Sequence, residues 1–303
     1  MTLIKCFEEF SLPEKRERSS EELLKFGLVV VDKSSGPTSH DTVHHVKKFF
    51  NLKKAGHSGT LDPKVTGVLP TGVGKATRLL GYLLKAPKEY VCLMKLHDEV
   101  SDVDLDKCFK KFSGEIDQLV PRKSRVKRRV RKRTIYELEL LDRDGSFVLF
   151  RALTQAGTYI RKLIHDMGEF LKTGAHMLEL RRTRVAHLKE VLCVDLYELL
   201  MASHELGKNN DVYVKQFFFS GEKLVEHLPR VFVFDSAVTS LSHGSSLKIP
   251  GLAAFDDSIT NGCDVAVFDL KGNLVMVGIA QLSVEQVLKQ KTGVFVKPSC
   301  VIV

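Results

Sequence analysis

GHSGTLDPKVTG, residues 56–67, is the stretch on which the reading of this chain turns. Three glycines and a proline within it rule out a helix. With its neighbours it makes 55–74 too irregular for one long element, so the segment reads as loop and short strand. Functional groups are often presented on such segments. Asp62 stands before Pro63, whose ring fixes the next backbone angle. A carboxylate on a stiff turn between glycines is accessible and oriented, as a nucleophile requires. Asp-Pro and Asp-Gly clusters also mark ordinary turns. Taken alone, Asp62 therefore has a structural reading beside the catalytic one.

Working outward, GLVVVDK (27–33) is a short apolar run ending at a turn, a predicted strand. SSGPTSH follows as a loop, with Ser39 capping a helix that carries Val43, Val46, Phe49 and Phe50. TIYELELLD (134–142) alternates apolar and acidic residues, Asp142–Gly145 turns the chain, and FVLFRALT (147–154) returns it as a hairpin. TYIRKLIHDMGEFLK then spaces Ile160, Leu163, Ile164, Met167, Phe170 and Leu171 as a helix does. LRRTRVAHL and VDLYELL complete a domain spanning 27–203. Residues 1–26 form a polar, partly helical extension, and 204–228 read as a linker with helical content. From 229 to 303 short β-like runs recur (RVFVFD, DVAVFDL, LVMVGIAQL, VFVKP), with LKGN (270–273) as a hairpin turn. The expected fold class is α+β, a large mixed domain followed by a small, mostly β one.

The 303 residues are 44% hydrophobic and 27% charged, enough to bury a sizeable core. A formal net charge of +9 suggests a polyanionic partner, though a generally basic protein would carry it too. Six scattered cysteines without a CxxC pair argue against a zinc site or a disulfide framework. No apolar run is long enough to span a bilayer, and the mixed charges of the first 25 residues are unlike a signal peptide. An intracellular protein is expected, with no membrane partner.

Other residues carry possible chemistry. At ~100° per residue Arg161 lies about 60° from Ile164, at the margin of the apolar stripe. A guanidinium there can reach a carboxylate and keep it ionised, or can simply be a helix-surface arginine. Tyr90, at the start of an apolar stretch, can offer a ring to a base or belong to the core. PRKSRVKRRVRKR holds nine Lys or Arg between Arg122 and Arg133 and no acidic residue. Such density favours binding of an RNA backbone over a solvated charge run. His40, His44 and His45 have no nearby Glu or Cys to complete a metal site. GVGKAT (72–77) lacks the spacing of a phosphate loop. No metal and no cofactor are expected.

Five segments together resemble the TruB/dyskerin family of pseudouridine synthases: KAGHSGTLDPKVTGVLPTGVGKATRLL, KEYVCLMKLH, RVKRRVRKRTIYELELLD, AGTYIRKLIHDMGE and GAHMLELRRTR. They stand in the family's order, between Gly27 and Leu188. The tail, with LPRVFVFDSAV and LSHGSSLKIPGL, resembles the PUA RNA-binding domain. The resemblance implies a pseudouridine synthase catalytic domain followed by a PUA domain, with Asp62 as the catalytic aspartate. Tyr90 would stack on a flipped uracil near the proton lost from C5, and Arg161 would pair with the Asp62 carboxylate. His57, Tyr159 and Leu180 would line or support the pocket. Lys127, Arg128, Arg129, Arg131, Lys132 and Arg133 would contact RNA, as would His243 and Gly244 in the tail. Two first steps fit Asp62: attack on the sugar, or removal of a sugar proton.

The wording HSGTLDPKVTG, the short KRRVRKRTIYE segment and the tail resemble the dyskerin branch. Its members act in H/ACA particles with a guide RNA, small H/ACA proteins and ribosomal RNA as substrate. LTQ ahead of AGTYIR, RRTRVAHL without its usual glycine, and PRKSRVKRR in place of a double-proline stretch depart from that pattern. The long Lys-rich tails of animal and fungal members are absent, which resembles an archaeal or reduced eukaryotic form. A nucleolar address would follow in a eukaryote and a cytoplasmic one in an archaeon. The alternatives are a stand-alone transfer RNA enzyme and a non-catalytic RNA-binding scaffold. Loss of the Asp62 carboxylate would have marked the scaffold.

Overall fold

The computed structural model describes residues 2–6, 10–14, 16–120 and 127–302. Among these residues, ten strands make one sheet. Its order runs Phe218–Ser220, Phe26–Lys33, Thr66–Gly74, Ala175–Val185, Lys88–Leu96, Phe147–Thr154, Val130–Asp144 and Gly114–Leu119. Two short strands, Ala55–His57 and Leu188–Lys189, pair at its centre. The sheet is mixed: Thr66–Gly74 and Ala175–Val185 run parallel, and the remaining neighbours antiparallel. A second, mixed sheet gathers Leu252–Asp256, Arg230–Val233, Asp264–Phe268, Leu274–Ala280, Val294–Val301 and Leu247–Lys248. The fold is thus α+β, a large sheet domain followed by a smaller, mostly β one.

Phe26–Lys33 is almost wholly buried because it lies in the sheet interior and is covered on both faces, as a continuous apolar run requires. The segment 55–74 is more regular than its composition predicts. Thr66–Gly74 is a nine-residue strand, buried from Gly67 to Val73. Its glycines serve close packing rather than loop flexibility. At Gly67, with φ 101°, an added Cβ would meet the carbonyl oxygen of Arg182 at 2.2 Å. Only a residue without a side chain lets these two strands approach.

The helix Ser39–Phe49 begins at Thr38, not at Ser39 as expected. Thr38 adopts the extended backbone of a cap and shares a capping box with Asp41. The hairpin also turns later than its sequence suggests. Val130–Asp144 stays paired to Asp144↔Phe147, leaving Gly145 and Ser146 as the loop. In the helix Ile160–Leu171, Phe170 is exposed and meets the ring of Phe112 at 6.1 Å, while Leu163, Ile164 and Met167 face the core.

Segments outside the two expected domains are tied into the sheets. Leu3–Lys5, within the expected polar extension, pairs antiparallel with Leu252–Asp256 of the second sheet. Phe218–Ser220, within the expected linker, pairs with Phe26–Lys33 of the first. One buried cluster joins Leu28, Val30 and Leu79 of the large domain to Phe232, Phe268 and Val277 of the small one, with Phe10 between. Phe10 lies 5.1 Å from Phe232, ring centre to ring centre. The two sheets therefore share a core.

Candidate active site

Asp62 lies in the loop between Ala55–His57 and Thr66–Gly74, and backbone hydrogen bonds hold much of that loop. Ser39, freed from capping and fully buried, accepts a hydrogen bond from the Leu61 N–H at 2.8 Å. Its hydroxyl donates in return to the Leu61 carbonyl at 3.1 Å. Lys33, also buried, donates through Nζ to the carbonyls of Pro63 at 2.9 Å and Val65 at 2.8 Å. Arg182, 1% exposed, donates through Nε to the Val68 carbonyl at 2.8 Å and through Nη2 to that of Gly59 at 3.2 Å. The Val65 N–H closes the turn on the Asp62 carbonyl at 2.9 Å. The carboxylate itself is left over half exposed, on a backbone with few remaining freedoms.

That carboxylate forms an ion pair with Arg161, the second residue of the helix Ile160–Leu171. The first turn of this helix has no acidic residue of its own. Asp62 brings a negative charge to a helix start that favours one. Tyr159 occupies the cap position, and Gln118 fixes it from both sides. Gln118 Oε1 accepts from the Tyr159 N–H at 2.8 Å, and its Nε2 donates to the Tyr159 carbonyl at 3.1 Å.

Tyr90 sits in Lys88–Leu96, directly across from Arg182, and its phenol meets the Arg182 guanidinium. Leu180, two residues before Arg182, falls on the same face of its strand and pairs with Cys92. Tyr90 and Leu180 both pack at the edge of the cluster containing Ile160 and Leu163, which brings them to the helix of Arg161. His57, half-buried, ends the strand Ala55–His57. Burial first, then the Arg182 and His40 charges, lower its pKa and hold the ring neutral. Among the described residues, its Nδ1 and the Ser58 hydroxyl are buried without a hydrogen-bond partner. The six residues expected at the site are therefore one connected group.

Burial also lowers the pKa of Lys33, opposed by the Asp62 charge, and that of Arg182. Lys88, donating to the carbonyls of Leu83, Leu84 and Ala86, is pushed down to about 8 by burial and then by Arg182. Lys33, Lys88 and Arg182, three buried cations of one sheet, are thus satisfied by backbone carbonyls.

Comparison with known proteins now fits this geometry. The description "TruB family pseudouridylate synthase (N terminal domain)" matches residues 47–160. The "tRNA pseudouridylate synthase B C-terminal domain" matches 161–226, and the PUA domain 229–302. A probable tRNA pseudouridine synthase B of Methanothermobacter thermautotrophicus is 45% identical over 282 residues, 93% of this chain and 87% of the relative. The chain belongs to the TruB family of pseudouridylate synthases. Among solved structures, a Cbf5-Nop10-Gar1 complex superposes with a TM-score of 0.94 at 41% identity, covering 100% of this chain and 94% of the other. An H/ACA RNP bound to a substrate RNA containing 2'-deoxyuridine gives 0.91 at 40%, covering 100% and 94%.

For a TruB-family member, the basic run is divided. Residues 122–126, with its first three cations, lie outside the described residues. Lys127, Arg128 and Arg129 are exposed ahead of the strand Val130–Asp144. Lys132 forms an ion pair with Glu115 at 2.6 Å, and Arg133 donates to the Gly157 carbonyl at 3.1 Å. Arg133 therefore supports the turn leading to Tyr159. Arg131 pairs across the strands with Gln118. His243 and Gly244 follow the helix Asp235–Ser242 of the second domain and are exposed. Among the described residues, no group of three or more His, Cys, Asp or Glu could hold a metal ion.

Sequence reasoning missed Ser39, Lys33, Gln118 and Arg182. Each acts through backbone groups far away in the chain, and none stands in a local pattern that marks it. A lysine at the end of an apolar strand was the faint available signal for Lys33, since such a cation is buried only with partners.

Proposed function

We propose that this chain is the catalytic subunit of a guide-RNA-directed H/ACA particle, isomerising uridine to pseudouridine in ribosomal RNA. The observation that carries the reading is the Asp62–Arg161 ion pair on a loop fixed by Ser39, Lys33 and Arg182. It is supported by full-length similarity to protein subunits of H/ACA complexes. Residues 27–203, with the added strand Phe218–Ser220, serve as the catalytic domain, and 229–303 as the RNA-binding PUA domain.

The target uridine leaves its stack, so that both faces of the base are reachable. Tyr90 stacks on the uracil, with Leu180, His57 and Tyr159 around it. The Asp62 carboxylate assists cleavage of the N1–C1′ bond, and Arg161 keeps that carboxylate charged and aimed. The freed uracil turns within the pocket and C5 bonds to C1′. C5 then loses its proton and N1 gains one, so the reaction balances without an external reactant. Lys127, Arg128 and Arg129, with His243 and Gly244 in the tail, contact RNA. The small H/ACA proteins and guide RNA are its partners, with a nucleolar address in a eukaryote and a cytoplasmic one in an archaeon.

A second reading, direct action on transfer RNA without a guide, rests on the names of the curated relatives. One assay separates the two. A ribosomal RNA fragment and a transfer RNA transcript are each offered with and without a matching guide RNA and the small partner proteins. Conversion of the ribosomal fragment only with guide is expected. Conversion of either transcript equally well without guide would leave the stand-alone reading.

A further inference from the structure

We propose that Arg182 is a positioning residue that fixes the distance between the nucleophile loop and the ring beneath the base. The geometry joins three things through one buried guanidinium. Its Nη2 donates to Gly59, before Asp62, and its Nε to Val68, after it. Tyr90 stands directly across the strand pair from Arg182, and its phenol interacts with the guanidinium. The backbone of Arg182 is seated against Gly67, where no Cβ would fit, so the residue cannot drift along the strand. Lys33 holds the same loop but contacts only carbonyls at 34, 63 and 65. Arg182 alone of these cations links the Asp62 loop to Tyr90.

The chemistry gives that link a purpose. In the reaction proposed above, on which this inference rests, one partner is bound to the sugar side and the other to the base. The base must turn and be recaptured at C1′, so any slack between Asp62 and Tyr90 misaligns the recombining atoms. A guanidinium is suited to the task because it presents several donors in one rigid plane, which an ammonium does not. Burying this cation without a carboxylate is costly for folding alone. Its gain is geometric.

The test uses Arg182→Lys and Arg182→Met in the complete protein with its RNA and protein partners, beside Tyr90→Phe and the double variant Arg182→Lys/Tyr90→Phe. Single-turnover rate, RNA affinity and hydrogen exchange at residues 59–68 are measured. Arg182→Lys is expected to lose rate by about 100-fold, the scale of an ångström-sized misplacement. RNA affinity should stay as in the parent, and exchange at 59–68 should rise. Tyr90→Phe removes the phenol that the guanidinium meets, so the double variant should be little slower than its slower parent. Arg182→Met should be slower still. Unchanged rate in Arg182→Lys, a loss confined to RNA affinity, or fully additive losses with Tyr90→Phe would overturn the proposal. A parent protein that converts no uridine would refute the activity itself, and exchange at 59–68 would still decide whether Arg182 clamps the loop.

Discussion

Arg161 and Asp62 stand 99 residues apart in sequence and form an ion pair at the start of the helix Ile160–Leu171. Both side chains remain more than half exposed, so the pair adds little to stability by itself. Its position is what matters, because the carboxylate is presented outward on a pinned loop. Arg161→Ala should lower the single-turnover rate by about 100-fold or more, the scale of losing one aligned electrostatic partner. RNA binding and melting temperature should stay close to the parent. A variant that turns over normally would show that the pair is incidental.

Gln118 offers a test from behind. Its amide satisfies both backbone groups of Tyr159, and it is 1% exposed. Gln118→Leu removes the amide oxygen that accepts from the Tyr159 N–H, at a cost of about 1–3 kcal/mol, while the Tyr159 carbonyl still accepts from the Leu163 N–H at 3.0 Å. Denaturant titration should register that loss, and turnover should slow more than RNA affinity falls. Equal stability in the two proteins would mean that water replaces the amide freely.

Separating the two sheets should be damaging. Leu28, Val30 and Leu79 pack in the shared cluster beside Phe232 and Phe268, so removing 229–303 should disturb folding. A chain ending at residue 228 would also leave Leu3–Lys5 without its partner strand. Calorimetry should show a lower melting temperature for the truncated chain than for the whole one. An unchanged melt would mean that the large domain does not depend on this contact.

The junction also carries a pH signature. His187 and His227 stack at 5.9 Å, and burial followed by the His187 charge pushes His227 down to about 4. An unfolded chain would take up that proton near 6.5. Between those values the unfolded state binds more protons, so stability rises with pH. The contribution is complete above about 6.5 and is lost as pH falls towards about 4. Melting temperatures from pH 4 to 7 should rise, and His227→Gln should flatten that slope. An identical slope in the variant would assign the effect elsewhere.

Asp62 before a proline, Arg161 at a helix margin and Tyr90 opening an apolar strand each kept a structural reading when taken locally, and their roles came from the resemblance of five segments taken together. The alternation of 134–142 and the spacing of Ile160, Leu163, Ile164 and Met167 carried the hairpin and the helix. What stayed hidden was everything decided by distant contact. Ser39 looked like a cap because serine favours that position, yet Thr38 caps and Ser39 turns to Leu61. The glycines of 55–74 suggested irregularity, whereas Gly67 admits the backbone of Arg182 into a continuous strand. The N-terminal strand Leu3–Lys5 is too short to show a pattern, and its pairing is set by Leu252–Asp256.

Asp62→Asn tests the central claim most directly, because it keeps the shape of the side chain and removes the charge and nucleophile. Pseudouridine formation on a guided transcript is measured for the variant and the parent, with melting and RNA affinity as controls. The expected result is parent-like melting and RNA binding with no pseudouridine above the uncatalysed background. Pseudouridine at the parent's rate in Asp62→Asn would contradict the assignment of Asp62 as the catalytic residue.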